Sequence, residues 1–111
     1  MKSWVEISGQ RLAANYRTLA QVAGPGTSVL AVVKADAYGH GAAVCAPVLV
    51  RAGARWLGVT DAQEGAVVRE ALAAAGITAS DQPKLLVMSG LLAEDADVIV
   101  QHGLVDRKSV V

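Results

Sequence analysis

The sequence predicts an α/β fold built on a parallel sheet, and two observations support this class. Short apolar runs alternate with segments of helical periodicity, a pattern typical of strands joined by crossover helices. The runs begin near residues 28, 56 and 84, so each unit is 28 residues long. This spacing is close to the roughly 31 residues per unit of an eight-unit barrel of about 250 residues. We therefore predict a partial (β/α)8 TIM barrel of about three to four units, with a small doubly wound sheet as the alternative.

The first predicted unit pairs a helix at 8–22 with a strand at 28–33. Ser8 can cap the start of the helix, and apolar side chains recur every three or four residues along one face. These side chains are Leu12, Tyr16, Leu19 and Val22. The sequence AGPG at 23–26 then ends the helix. The run SVLAVV is continuously β-branched and aliphatic, as expected of a strand that is buried on both faces of a parallel sheet.

A second unit follows at residues 41–59. We predict a helix over 41–52, although Pro47 lies inside it and indicates either a kink or a helix that begins there. The sequence WLGV at 56–59 is the next predicted strand.

The clearest predicted helix is 60–76. Two residue pairs near its start match the capping-box pattern. They are Thr60 with Gln63 and Asp61 with Glu64. Gly76 is suited to end the helix, because glycine adopts the left-handed conformation at little cost. A third strand is predicted at 84–88 and a last helix at 91–103, although residues 96–100 (ADVIV) also suit a strand.

Composition and charge narrow the classes of function. Hydrophobic residues make up 53% of the chain, yet no uninterrupted apolar run approaches the roughly 18 residues of a membrane-spanning helix. Ten basic and ten acidic residues cancel, which gives no general attraction to nucleic acid. The first ten residues lack the apolar core of a secretory signal. We therefore expect a cytoplasmic protein with no nucleic-acid or membrane partner.

The cysteine and histidine content argues against a metal site. Cys45 is the single cysteine, so neither an internal disulfide nor a cysteine-based zinc cluster is expected. Its apolar surroundings in sequence favour a small buried side chain. His40 and His102 are far apart and show no ligand spacing.

The most informative stretch is VLAVVKADAYGHG at 29–41. Lys34 stands where the first strand ends, at the edge where parallel α/β folds place their chemistry. Most lysines at such positions simply extend into solvent. A nucleophilic lysine must lose its proton, and a free lysine with a pKa of about 10.4 is neutral only about 0.04% of the time at pH 7. The preceding apolar run favours desolvation of Lys34 and hence its neutral form. Tyr38 offers a phenol, and Gly39 and Gly41 let backbone N–H groups approach an anion.

The segment AVVKADAYGHG resembles the cofactor-lysine signature of the bacterial alanine racemases. The match comprises an apolar strand, Lys34, Tyr38 at the fourth position after it, and the glycine-histidine-glycine sequence at 39–41. The flanking segments WVEISGQRLAANYRTL and RAGARWLGVTDAQEGAVVRE are also similar to that family. The resemblance extends from residue 4 to about residue 104.

This resemblance implies that residues 1–111 are the N-terminal portion of a barrel that binds pyridoxal 5′-phosphate (PLP), in a fold-type III enzyme. Such an enzyme interconverts L-alanine and D-alanine for peptidoglycan synthesis. Lys34 would bind PLP covalently and act as base or acid on one face of the alanine α-carbon, and Tyr38 would hydrogen-bond the cofactor phosphate. The family forms a homodimer, in which a tyrosine from the C-terminal β-domain of the partner subunit serves the opposite face.

The end of the chain departs from this pattern. The family continues into a fourth barrel strand, whereas here Asp106, Arg107 and Lys108 bring three consecutive charges, which suit a buried parallel strand poorly. The strand spacing puts the next strand near residue 112. We therefore expect a truncated and inactive fragment without the C-terminal β-domain, with a changed reading frame after about Leu104 as one origin. An unfinished barrel leaves a strand edge and a sheet face uncovered, which favours self-association.

Two alternatives remain open. One is a non-enzymatic PLP-binding homeostasis protein on a related barrel, which also carries a lysine on an early strand; the DAYGHG run favours the racemase over it. The other is an inert remnant that binds no cofactor. Among the remaining residues, Asp36 and His40 are expected to serve the turn, Trp56 to pack, and Met88 to pack in the core or to line the cofactor pocket.

Overall fold

The computed structural model describes residues 9–33, 41–89 and 93–106, in which helices and strands alternate along the chain. In chain order these are α1 Gly9–Ala23, β1 Leu30–Val32, α2 Ala42–Arg51, β2 Trp56–Val59, α3 Ala62–Ala74, β3 Lys84–Val87, α4 Ala96–His102 and β4 Leu104–Asp106. Short 3-10 turns at Ala79–Asp81 and Ala93–Asp95 precede β3 and α4.

The four strands form one parallel sheet in the order β1-β2-β3-β4. Trp56 at the start of β2 pairs with Leu30 on one side and Lys84 on the other, and Leu85 of β3 pairs with Leu104 of β4. A doubly wound sheet reverses its strand order at a switch point, whereas a barrel adds each new strand on the same side. The uninterrupted order therefore confirms the predicted partial barrel over the doubly wound alternative.

The two faces of the sheet differ in how well they are covered. Side chains alternate between faces along a strand, and those on one face pack against the helices and are almost fully buried. They include Val33, Leu57, Val59, Leu85 and Val87, each at most 1% exposed. The opposite face, here called the open face, carries side chains that are only partly buried. These include Leu30, Val32, Trp56, Leu86 and Val105.

The ends of α3 follow from local sequence. Asp61 Oδ1 accepts a hydrogen bond from the Glu64 N–H at 2.8 Å, and Glu64 Oε1 accepts one from the Thr60 N–H at 2.8 Å. Of the two predicted capping pairs, the Asp61–Glu64 pair is therefore the one that forms. At the other end Gly76 has φ 86°, and the N–H of the next residue, Ile77, donates to the carbonyl of Leu72 at 3.1 Å. This is the glycine-terminated helix end that the sequence predicted.

The structure corrects the predictions made around Pro47. Helix α2 begins at Ala42 and continues through Pro47 to Arg51, so the alternative of a helix that begins at the proline is wrong. Pro47 is buried, and a proline inside a helix leaves the carbonyl four residues earlier without its usual partner. The strand alternative for 96–100 is also wrong, because these residues lie in α4. The proposed cap Ser8 lies outside the described residues.

The prediction for the fourth strand was wrong in position. The strand was expected near residue 112, but β4 begins at Leu104, because α4 has only seven residues and the unit is correspondingly short. Leu104 is 8% exposed and packs over Gly65 of α3, where a Cβ atom would lie 2.9 Å from Leu104 Cδ1. Asp106 pairs with Val87 of β3, so its charge does not exclude it from the strand.

Candidate functional site

The carboxyl edge of the sheet, where the predicted site lies, is formed by the residues that follow the strands. Hydrogen bonding between strands continues past their assigned ends: the Val33 N–H donates to the Gly58 carbonyl at 2.8 Å, and the Ser89 N–H donates to the Thr60 carbonyl at 2.9 Å. Val33 is 1% exposed and belongs to the core. Backbone hydrogen bonds therefore hold the sheet together as far as Val33, the residue before Lys34.

The predicted site residues Lys34 and Tyr38 lie outside the described residues, as do Asp36 and His40. What the structure describes is their frame. Residues 34–40 connect the buried end of β1 at Val33 to Gly41, which directly precedes α2. The roles of Lys34 and Tyr38 remain predictions.

One apolar side chain on the open face, that of Met88, lies beside this edge. Met88 follows β3, and its side chain reaches across to β2, where a Cβ atom on Gly58 would lie 3.0 Å from Met88 Sδ. The same Cβ atom would lie 3.5 Å from Leu30 Cδ2. Gly58 therefore provides the space that Met88 and Leu30 occupy. Met88 is half-buried, so its side chain is packed on one side and accessible on the other.

The helix starts at this edge are capped in different ways. Helix α3 has the carboxylate of Asp61 as its N-cap, and that carboxylate accepts a backbone hydrogen bond. Helix α2 follows Gly41, which has φ 89° and offers no side-chain cap. The N–H groups of a helix start attract anions. At α2 two of these N–H groups, those of Val44 and Cys45, already donate to the Gly41 carbonyl at 3.1 and 3.0 Å.

Arg69 is the principal polar residue that the sequence analysis missed, and it lies at the opposite, amino edge. From α3 it donates four hydrogen bonds to neutral oxygens. They run to the carbonyls of Pro83 (2.7 Å), His102 (2.8 Å) and Gly103 (3.0 Å), and to Oε1 of Gln82 (2.9 Å). Burial lowers the pKa of Arg69 from its ordinary value, because desolvation disfavours the charged form. No local pattern marks such a residue, since its acceptors are 13 to 34 residues away.

Other singled-out residues also lie away from the carboxyl edge. Trp56 begins β2, and Lys84 Nζ lies 5.1 Å from the centroid of its ring, a cation–π contact between neighbouring strands. Tyr16, on α1, lines a cavity of about 230 Å³ at the amino edge with Gly53 and Arg55. Cys45 is buried, in agreement with its predicted role as a small core side chain.

The described residues contain no group of three or more histidine, cysteine or acidic side chains placed to hold a metal ion. His102 Nε2 lies 3.6 Å from Glu70 Oε1, and its Nδ1 lies 3.1 Å from the Val98 carbonyl oxygen. Within residues 9–33, 41–89 and 93–106, no helix combines the length and the apolar character needed to cross a bilayer.

Comparison with known proteins identifies relatives of this chain. Residues 7–106 match the family described as alanine racemase, N-terminal domain. Among curated relatives, an alanine racemase of Synechocystis sp. is 41% identical over 101 residues, which is 91% of this chain and 25% of the relative. An alanine racemase of Streptomyces coelicolor is 49% identical over 71 residues, which is 64% of this chain and 18% of the relative.

Solved structures agree with this assignment. The alanine racemase of Bacillus anthracis superimposes with a TM-score of 0.78 at 28% identity, over 93% of this chain and 25% of that one. The Bartonella henselae enzyme, solved with covalently bound pyridoxal phosphate, gives a TM-score of 0.71 at 33% identity, over 90% of this chain and 27% of that one. The chain thus spans about a quarter of the length of the relatives it matches, and it belongs to the alanine racemase N-terminal domain family.

Proposed function

We propose that residues 1–111 are the N-terminal portion of the PLP-binding barrel of an alanine racemase. The activity of the whole enzyme would be the interconversion of L-alanine and D-alanine, which supplies D-alanine for peptidoglycan in the cytoplasm. Family membership carries this proposal. The bound pyridoxal phosphate of the Bartonella henselae relative supports the choice of cofactor.

Lys34 is the residue proposed to bind PLP covalently and to act on the substrate. It is bonded to Val33, which is buried and hydrogen-bonded to β2, so its backbone starts from a firmly held strand end. A lysine serves as nucleophile and base when apolar surroundings partly desolvate its amine and ease its deprotonation.

The described surroundings suit the ring of the cofactor. The apolar side chain of Met88 packs on the open face beside Gly58, and such a surface suits a planar aromatic ring. We also propose, from the family resemblance, that Tyr38, the fourth residue after Lys34, hydrogen-bonds the cofactor phosphate. Met88 would line the ring side of the pocket.

The proposed chemistry needs two acid/base groups. PLP, when bound, stabilises negative charge at the substrate α-carbon and makes the α-proton removable. The Lys34 amine would take or return that proton on one face, and racemisation requires a second group on the other face. Tyr16 cannot be that group, because it lines a cavity at the amino edge. We propose that the second group comes from the partner subunit of a homodimer, so that residues 1–111 alone do not racemise alanine.

The test is reductive trapping. The chain is incubated with PLP, reduced with borohydride and digested, and mass spectrometry locates the added cofactor. We expect the adduct on the peptide that contains Lys34, and its loss in Lys34→Ala. Lys84→Ala is the matched control, because Lys84 lies at the amino edge of the same sheet and should not affect trapping. Absence of any adduct would favour the inert remnant.

A second measurement separates a racemase fragment from a PLP-binding homeostasis protein. L-alanine and D-alanine are incubated separately in D2O with the chain and PLP, and deuterium at the α-carbon is measured by NMR. A racemase fragment should slowly exchange, with retention of configuration, only the enantiomer whose α-proton faces Lys34. Cofactor binding without exchange of either enantiomer would favour the homeostasis protein. Substantial production of D-alanine by this chain alone would contradict the proposed need for a second subunit.

A further inference from the structure

A cavity of about 400 Å³ lies at the amino edge of the sheet, on the side opposite the proposed cofactor site. One wall comes from the end of α2 and the turn to β2, and the other from the turn between α3 and β3. Both walls lie within the interior of the described fold, so the cavity does not depend on where the chain ends. We propose that this cavity, here called the arginine cavity, binds a free α-amino acid with an aliphatic side chain. This role is independent of the proposed racemase activity.

The charges that line the arginine cavity supply the first argument. They are the guanidinium groups of Arg51 and Arg55 and the carboxylate of Asp81. All three side chains are described and exposed, and no ion pair joins either guanidinium to this carboxylate. A ligand that carries both a carboxylate and an ammonium group can form charge-assisted hydrogen bonds with the two kinds of group at once. A free amino acid carries both groups on one carbon atom.

Arg55 is the residue best placed to bind the ligand carboxylate. Its backbone is held in place, because its carbonyl accepts a hydrogen bond from the Lys84 N–H at 2.8 Å and the preceding Ala54 is only 2% exposed. Its guanidinium forms no hydrogen bond or ion pair with the described residues, so no such contact accounts for its charge there. Arg51 Nη2 donates to the Ala75 carbonyl at 2.6 Å, which holds a second guanidinium beside the same cavity.

Asp81 is placed to accept hydrogen bonds from the ammonium group. It ends the 3-10 turn Ala79–Asp81, and its Oδ2 accepts a hydrogen bond from Thr78 Oγ1 at 3.1 Å. This bond orients the carboxylate and leaves Oδ1 for a second donor. An ionised carboxylate can only accept hydrogen bonds, so Asp81 repels a simple anion and favours a ligand that presents N–H groups. The arginine cavity should therefore prefer an amino acid to a simple carboxylic acid.

The remaining lining residues indicate the aliphatic side chain of the ligand. Val50 and Ile77 line the cavity, and both are only partly buried against the core. An aliphatic ligand side chain would remove the rest of this apolar surface from water. Gly53 and Gly76 also line the cavity, with φ angles of 112° and 86° that favour glycine. Because neither has a side chain, the space between the two walls stays open.

Titration of the full chain with L-leucine, followed through the backbone N–H signals in two-dimensional NMR, tests the proposal. Leucine is the probe because its side chain is larger and more apolar than that of alanine. We expect the signals of Gly53, Gly76 and Asp81 to shift, with a Kd of roughly 1 mM for a small ligand in an open site. No shift of these signals at tenfold higher concentration would overturn the proposal. Shifts confined to the carboxyl edge would overturn it as well.

Two analogues separate an amino-acid site from a simpler one. Isoamylamine lacks the carboxylate of leucine, and isocaproate lacks its ammonium group. We expect each to bind at least about tenfold more weakly than leucine, because each loses a charged hydrogen-bonding group. Isocaproate that bound as well as leucine would show an unselective anion site. Isoamylamine that bound as well would show that the arginines take no part, and either result would overturn the proposal.

Two substitutions assign the charged groups. Arg55→Ala should weaken leucine binding by about tenfold or more. The matched control is Arg17→Ala, because Arg17 is exposed on α1, a helix that does not line this cavity. Asp81→Asn should weaken the binding of leucine but strengthen that of isocaproate, since the repulsion between two carboxylates is removed.

A purely structural role of Asp81 would not change the two affinities in opposite directions. The same NMR spectra show whether each variant is folded. An unchanged affinity for leucine in Arg55→Ala would overturn the proposal, and so would a parallel change of both affinities in Asp81→Asn.

Discussion

The amino edge and the carboxyl edge of the sheet differ in their polar contacts and in their expected roles. At the amino edge, Arg69 joins the turns before β3 and β4 with four hydrogen bonds, and Arg51 Nη2 donates to the Ala75 carbonyl at 2.6 Å. At the carboxyl edge the described polar contacts include the cap of α3 by Asp61, and the residues predicted to carry chemistry follow the strands there. In barrels of this type the amino edge serves stability and the carboxyl edge serves function.

The comparison also shows that residue type alone does not mark a site. Lys84 and Lys34 each adjoin an apolar run in the sequence. Lys84 starts its strand and lies over the ring of Trp56, whereas Lys34 follows the buried end of β1. The position of a lysine along a parallel strand, rather than the lysine itself, separates a packing contact from a candidate nucleophile.

Arg69→Ala should give the largest effect on stability, about 3 kcal/mol, because it removes four hydrogen bonds and leaves carbonyls unpaired in a partly buried position. The free energy of unfolding is measured by urea denaturation at fixed protein concentration. Arg69→Lys keeps the charge but not the planar set of donors, so its free energy of unfolding should lie between those of the unchanged chain and Arg69→Ala. Under native conditions, trapping of PLP should be unchanged in Arg69→Ala. If folded Arg69→Ala no longer trapped PLP, the amino edge would contribute to function as well as to stability.

Gly65→Val should destabilise by about 2 kcal/mol, because the added side chain would overpack Leu104 on β4. The same denaturation experiment measures it. Combining the change with Leu104→Ala should cost less than the sum of the two single changes, since the smaller residue makes room. Additive effects in this double-mutant cycle would show that Gly65 and Leu104 are not in contact. The position of β4 would then be wrong.

Asp61→Ala should cost about 1 kcal/mol, the usual effect of losing an N-cap. Asp61→Asn keeps an acceptor oxygen and should restore most of the loss. Thermal unfolding followed by circular dichroism reports both. A loss as large as that of Arg69→Ala would show that the carboxyl edge contributes to stability as much as the amino edge does.

Arg51→Ala should have the smallest effect, about 0.5 kcal/mol, because its hydrogen bond to the Ala75 carbonyl is exposed to solvent. The urea midpoint, with an unchanged slope, is the appropriate measure. If the effect of Arg51→Ala equalled that of Arg69→Ala, burial would not be what distinguishes the two arginines.

Local patterns in the sequence predicted most of the framework. The strands at 28–33, 56–59 and 84–88 correspond to β1, β2 and β3, because continuous aliphatic runs between turn residues have few other stable environments. The cap at Asp61 and the end at Gly76 were likewise predictable, because both depend on residues close in sequence.

The features that the sequence did not predict are contacts between residues far apart along the chain. The contact between Gly65 and Leu104 joins residues 39 positions apart. The contacts of Arg69 span 13 to 34 residues and carry no sequence signal. For the site, Lys34 and Tyr38 stay predictions made from their sequence pattern. The described structure adds a held strand end at Val33 and an apolar neighbourhood around Met88, which no motif encodes.

The central position of β2 and β3 has a consequence for how the molecule opens. Both strands have neighbours on two sides, and Leu57, Val59, Leu85 and Val87 are completely shielded from solvent. Their amide hydrogens should be the last to exchange with deuterium, and those of β1 and β4 should exchange earlier, since outer strands detach first. Isotope exchange would thus rank the strands from the middle of the sheet outward.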